Sequence, residues 1–333
     1  MKKQALTLSN LRVAIGTAMS KFAPLIILIG LLILFSIISP NFLTSYNLMI
    51  LVRQVSFAGI SAVGVMFVMI GGAIDLSIGS QIVLTNIVLS IMMADWRFPP
   101  ILAIPLILLL GIALGVLNGF LSVRLKIHPL IITLGTASIF KGVGYIIAQS
   151  RNIMGFPESF RWFGQGYVGP VPVPIILMIV VALIGSFILT RTYFGRYIFA
   201  VGGNEEAARL AGVNVEGMKV ILFGICGFVS AITSVLLLSR VFAGQVSTGQ
   251  GIEFDCLTAA LLGGVSFKGG EGTVFGLITG ILIIGVLNNA MQLASFPDFS
   301  QNVVKGVVLL AAVAFDVYQK SRRSKETVAK MAA

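Results

Sequence analysis

YFGRYIFAVGGNEEAARLAGVNVEGM, Tyr193–Met218, is the only long charged and glycine-punctuated stretch lying between two blocks of near-continuous apolar sequence. Such an interruption reads as a cytoplasmic loop of a membrane protein. Within it, Asn204 is placed to cap a helix by accepting backbone N–H bonds, and Glu205 and Glu206 follow where the helix dipole favours negative charge. Arg209 falls in the last turn, and Gly212 ends the helix at a position that tolerates positive φ. A helix from Glu205 to Ala211 is about 10 Å long, too short to cross a bilayer or to persist alone. It is either a loop helix packed on its own subunit or a knob gripped by a partner, and the local residues leave both readings open.

Outward from that loop, composition sets the environment. Of 333 residues, 57% are hydrophobic and 11% charged, with a mean hydropathy of +1.02. Soluble domains carry about 25% charged residues, so this chain belongs in lipid as one membrane domain. Ten apolar runs are legible: 22–38, 50–70, 78–93, 101–123, 130–148, 173–189, 220–238, 257–267, 274–293 and 303–317. With about 20 apolar residues per span, they predict an all-α polytopic protein of about ten transmembrane helices. The first run lacks a small-residue cleavage site and follows Lys2, Lys3, Arg12 and Lys21, so it reads as a retained span. The expected division is an inner N-terminal segment 1–21, a membrane domain 22–317 with a cytoplasmic loop 191–219, and an inner tail 318–333.

Basic residues test that topology, because Lys and Arg accumulate on the cytoplasmic side. The inner segments would hold 16 of the 23, the outer ones Arg53, Arg97, Arg151, Arg161, Arg240 and Lys305, and a span would hold Lys141. Both termini are then inside. A net charge of +11 spread over the loops of one face also argues against nucleic acid as a partner.

Several chemistries are excluded or disfavoured. The dipeptide Gly-Lys occurs nowhere, so no P-loop is present to bind ATP. The glycines at 269, 270, 272 and 276 miss the dinucleotide spacing and read as a tight turn between spans. Cys226 and Cys256 have no CxxC spacing, and His128 is the sole histidine, so neither a disulfide framework nor a metal site is suggested. No catalytic triad, paired carboxylates or HExxH appears, so the chain is not read as an enzyme.

Polar groups within apolar runs should mark a pathway, because they are costly in lipid unless they face protein or water. The strongest is IGGAIDLSIG, Ile70–Gly79, where two glycines precede Asp75 and Ser77 with no room for a full loop. It predicts a broken helix in which Asp75 shapes the pathway, caps the next helix through the N–H groups of Ser77 and Ile78, or does both. A second break is expected near Glu253 and Asp255, before the shortest run. Asn118, Lys141, Asn288 and Asn289 complete the pathway candidates; an intramembrane Asn also serves simply to bond a neighbouring helix. The tetrapeptide GVLN recurs at Gly115–Asn118 and Gly285–Asn288, in runs of opposite direction, which hints at an inverted repeat.

Taken together, IDLSIGS (74–80), HPLIITLGT (128–136), GRYIFAVGGNEEAARLAGVNV (195–215), GIEFDCLTAALLGGVSFKGGEG (251–272) and GVLNNAMQL (285–293) resemble the ribose-type monosaccharide permeases of bacterial ABC importers, whose relatives include autoinducer-2 permeases. The likeness runs through nearly the whole chain. It implies an inner-membrane subunit that pairs with a second permease copy, identical or not, two cytoplasmic ATP-binding subunits and an extracytoplasmic sugar-binding protein. The partner, not this chain, would use ATP, and no cofactor is implied here. It also implies that Gly195, Gly203, Asn204, Glu205, Glu206, Ala207, Ala208, Arg209, Leu210 and Gly212 form the ATPase-coupling segment. Ala73, Cys256, Leu257, Leu277 and Ala290 depart from the family's usual residues, which leaves the sugar open among pentoses, hexoses and a furanosyl signalling sugar. The expected mechanism is alternating access; the rival is an ion-coupled transporter or channel using Asp75 and Lys141 without an ATPase.

Overall fold

The computed structural model describes residues 24–149 and 151–332, with side chains described to Tyr318 apart from Asp298. The N-terminal segment with Lys2, Lys3, Arg12 and Lys21 lies outside the described residues. Helices α1 (Pro24–Ile38), α2 (Ser45–Ile70), α3 (Ile78–Ala94), α4 (Pro100–Leu125) and α5 (Pro129–Ala148) form the first half. After the short α6 (Arg161–Gln165) and a two-stranded ribbon, β1 (Tyr167–Val168) with β2 (Val171–Pro172), come α7 (Val173–Arg191), α8 (Tyr193–Gly203) and α9 (Glu205–Leu210). Then follow α10 (Val215–Val241), α11 (Ile252–Leu262), α12 (Val274–Leu293) and α13 (Asp298–Ala332). Seven helices are long and apolar enough to cross a membrane, while α1 and α3 are shorter apolar helices. The protein is an all-α polytopic membrane protein.

Local chemistry starts and stops these helices. Thr44, Asn214 and Thr273 accept the N–H bonds of Asn47, Gly217 and Gly276 at the heads of α2, α10 and α12. Proline within the first two positions opens α4, α5 and α7, where its missing N–H costs nothing. His128 caps α5, its Nδ1 accepting from Leu130 N at 3.3 Å. Cys226 and Cys256 are free and buried.

The two central helices, α2 and α10, pack against each other. Helix α4 lies closest to α10 because Gly111, Gly115 and Gly119 place a side-chain-free stripe on its backbone: a Cβ on Gly115 would collide with Phe223 O, and one on Gly119 would sit 2.7 Å from Val220 Cα. Helix α12 meets α11 likewise, where a Cβ on Gly280 would collide with Ala259 O. At the periphery, α5 and α13 leave much of their apolar surface uncovered.

Two helix positions correct the sequence reading. The run 257–267 is not the span itself: α11 begins five residues earlier, after Gly251 at φ +85°, and ends before Gly263 and Gly264. Arg53 and Lys305, counted with the outer segments, stand within the helices α2 and α13 and not in loops.

Candidate functional site

The chain breaks twice. After Ile70, Gly71–Ser77 run without helix before α3 begins; after Val241 the chain is irregular through Gly251, after which α11 begins. Helix α11, with 11 residues, is only about 16 Å long. Its far end, Gly263, touches Gly276 at the head of α12, so its head lies well inside the bundle. The heads of α3 and α11 meet there: a Cβ on Gly79 would collide with the Glu253 carboxylate and sit 2.9 Å from Gly249 O.

At the first break Asp75 is 1% exposed. Its Oδ1 accepts from Ser77 N at 2.8 Å and Ser77 Oγ at 2.6 Å, and Gln81 Nε2 reaches Oδ2 at 3.4 Å. Ser77 Oγ in turn accepts from Gln81 Nε2 at 2.8 Å and Asn118 Nδ2 at 2.7 Å, using both its lone pairs. Ser230 on α10 donates to Gln81 Oε1, and Thr133 on α5 accepts from Leu76 N. Asp75 therefore holds Ser77, the residue just before α3, and accepts nothing from Ile78, within a buried network that leaves Asn118 Oδ1 without a partner. No ion pair joins it to Lys141 among the described residues.

The second break carries Glu253 and Asp255 in the first turn of α11. Asp255 Oδ2 accepts from Lys305 Nζ at 3.0 Å and Asn288 Nδ2 at 3.3 Å. The two GVLN asparagines thus do the same work: each donates Nδ2 to the opening residues of a half-helix, and each keeps a buried Oδ1 without a partner. Asn289 points elsewhere and exchanges two 2.8 Å bonds with Asn47 on α2. A cavity of about 550 Å³ lies beside the facing helix heads, walled by Gly79, Ser80, Lys141, Glu253 and Lys305 among others. Of the eight pathway candidates, Lys141 and Glu253 line this space, Asp255 and Asn288 stand behind its Lys305, and the rest are tied into helix contacts.

The charged loop folds as α8 and α9. Gly195 lets α8 turn back against α7, since a Cβ there would collide with Ile188 O and Leu189 O. Asn204 Oδ1 accepts from Ala207 N at 3.0 Å, and Gly212 at φ +84° closes α9, with Val213 N bonding Ala208 O. The helix ends at Leu210, one residue short of expectation. Glu205 bonds Lys219 at 2.7 Å and Arg209 at 3.2 Å, fastening α9 to α10, and Ala208 is buried beneath it. Glu206, Ala207 and Leu210 are exposed, Leu210 at 85%.

Immediately before α9, Gly202 and Gly203 touch the first break and the turn between α11 and α12 by backbone alone. A Cβ on Gly202 would collide with Ile70 O; one on Gly270 would sit 2.7 Å from Gly203 Cα, and one on Gly269 would sit 2.7 Å from Gly72 Cα. Gly270 N donates to Ile70 O at 2.8 Å. Gly72, Gly269 and Gly270 all have positive φ. Three glycine pairs therefore join the α8–α9 corner, the end of α2 and the turn after α11. This junction, helix α8, and the partners Gln81, Ser230 and Thr133 were missed from the sequence. The Ser77/Gln81 spacing of four on α3 and the Gly202-Gly203 pair were the available signals.

Residues 47–313 match the family described as branched-chain amino acid transport system / permease component. The chain belongs to this family. This permease is 38% identical over 318 residues to the ribose import permease protein RbsC of Bacillus subtilis (strain 168), covering 95% of this chain and 98% of that one. It is 40% identical over 322 residues to the L-arabinose transport system permease protein AraH of Escherichia coli (strain K12), covering 93% and 94%. The ribose import permease of Haemophilus influenzae is 38% identical over 306 residues, covering 91% and 94%. No solved structure matches this permease.

Proposed function

We propose that the chain is the membrane subunit of an ATP-driven importer that moves a pentose or related monosaccharide into the cytoplasm by alternating access. The observation that carries this reading is the glycine junction: an exposed capped helix, α9, is rooted where backbone from the break after α2 and from the turn between α11 and α12 meets. Motion imposed on α9 therefore has a route to the break before α3 and to the far end of α11. ATP-binding subunits would grip Glu206 and Leu210 from the cytoplasm, and a loaded sugar-binding protein would deliver at the opposite end. The relatives' sugars support the substrate class.

The order long helix, break, short helix, long helix with GVLN occurs twice, as α2–α3–α4 and α10–α11–α12. Together with the matched roles of Asn118 and Asn288, it supports an inverted pair of repeats with the path at their junction. A second permease copy would cover α5 and α13. That side needs water or protein, because Lys141 is exposed 13 residues into a 20-residue apolar helix. In this arrangement the spans number ten, both termini lie in the cytoplasm, and the complex sits in the bacterial inner membrane.

The complex of permease, ATP-binding subunits and binding protein, reconstituted in vesicles, is expected to take up D-ribose or L-arabinose only with ATP. Sugar flux through the permease alone, without nucleotide, would overturn the reading and favour an ion-coupled carrier. The buried, hydrogen-bonded state of Asp75 and the absence of an ion pair between it and Lys141 among the described residues weigh against that alternative.

A further inference from the structure

We infer that the cavity beside the facing heads of α3 and α11 is a transient binding site for the neutral sugar in transit, with Lys141 and Glu253 hydrogen-bonding its hydroxyl groups. The inference rests on the import reading and adds the site, its residues and its charge selectivity.

Four observations carry it. The cavity, at about 550 Å³, is in the range of small-molecule sites and holds a monosaccharide with some water. Glu253 lines the space with no side-chain donor bound to its carboxylate among the described residues, its Oε2 being buried against Gly79. Its carboxylate is packed over Gly79, which has no Cβ to displace it, so the group is held in place from behind. Lys141 lines the same space and forms no ion pair among the described residues. A cation and an anion that share a cavity without bonding each other offer a donor and an acceptor to a polyol, whose hydroxyls serve as both.

Charge balance narrows the ligand. Lys305 also faces the cavity but is neutralised by Asp255 at 3.0 Å. With Lys141 set against Glu253, the formal charge around the space sums to zero. Asp75 at α3, and Glu253 and Asp255 at α11, already occupy the positive ends of the two half-helices. A neutral sugar leaves this balance intact, whereas a sugar phosphate or sugar acid adds an uncompensated charge in a confined site.

The test uses the full complex in vesicles. Lys141→Gln and Glu253→Gln are each expected to lower D-ribose or L-arabinose imported per ATP hydrolysed by about tenfold, the scale of one lost charge-assisted hydrogen bond. Lys141→Arg, which keeps the donor, should restore most of that ratio and guards against misfolding of the glutamine variant. A separate readout places the sugar: Ser80→Cys introduces a thiol on the cavity wall, while both native cysteines are buried. Millimolar D-ribose or L-arabinose should slow its labelling by a water-soluble thiol reagent, and D-ribose 5-phosphate should not. Wild-type import ratios in both glutamine variants, or labelling indifferent to sugar during turnover, would overturn the site. Failure of the wild-type complex to import either sugar with ATP would instead overturn the import reading.

Discussion

Asn118 and Asn288 show how much one carboxamide does in this bundle. Each spans from a long helix to the first turn of a half-helix and satisfies an acceptor there that lipid would leave bare. Replacing Asn118 with Ala removes the 2.7 Å bond to Ser77 and is expected to destabilise the solubilised protein by about 1–2 kcal/mol. Ser36→Ala, which loses only an exposed bond to Ile33 O, should leave the thermal unfolding midpoint unchanged. Asp75 gives a ranking. Asp75→Ala strips the acceptor from both Ser77 donors and should cost about 1–3 kcal/mol, whereas Asp75→Asn keeps Oδ1 and should cost less. The reverse order in a thermal melt would show that holding Ser77 is not what the carboxylate does.

At the scale of helices, glycine sets the spacing and the coupling. Gly115 allows α4 to lie on α10, so Gly115→Ala forces the helices apart or strains them, for about 1–3 kcal/mol; Gly135→Ala, with open space around it, is the neutral comparison. Gly202→Ala acts differently, because its Cβ would push the α8–α9 corner away from Ile70. It is expected to leave the ATP-binding subunits attached but to lower sugar moved per ATP several-fold. Unchanged coupling would remove the junction from the transmission route. Glu206→Lys reverses the charge on the exposed face of α9 without touching its ties to α10, and should weaken attachment of the ATP-binding subunits in a pull-down. Unaltered attachment would place docking elsewhere.

Among the described residues, α5 shows Lys141 on an apolar helix and α13 is scarcely covered, the two faces on which a second copy is proposed. Ser138→Cys, exposed on the same face of α5 one turn before Lys141, should form a disulfide between two copies of the chain in the assembled complex. A thiol as accessible to a water-soluble reagent in the complex as in the isolated permease would place the second copy on another face. The residence of the chain in lipid, its helical architecture, the capped knob at Asn204–Gly212 and its likeness to sugar permeases were all legible in the sequence. Those features are written in composition, in runs of neighbouring residues and in caps three or four positions apart. The assignment of polar residues was not legible. Asp75 is a partner of Ser77 within a buried network, Asn289 a partner of Asn47, and Glu253, Lys141 and Lys305 are the charged residues lining the cavity. Ser77 meets Asn118 across 41 positions, Gln81 meets Ser230 across 149, and Asn47 meets Asn289 across 242. The amino-acid order determines that a buried polar group must find a partner; only the packing of distant helices decides which partner it finds and which group is left lining a cavity.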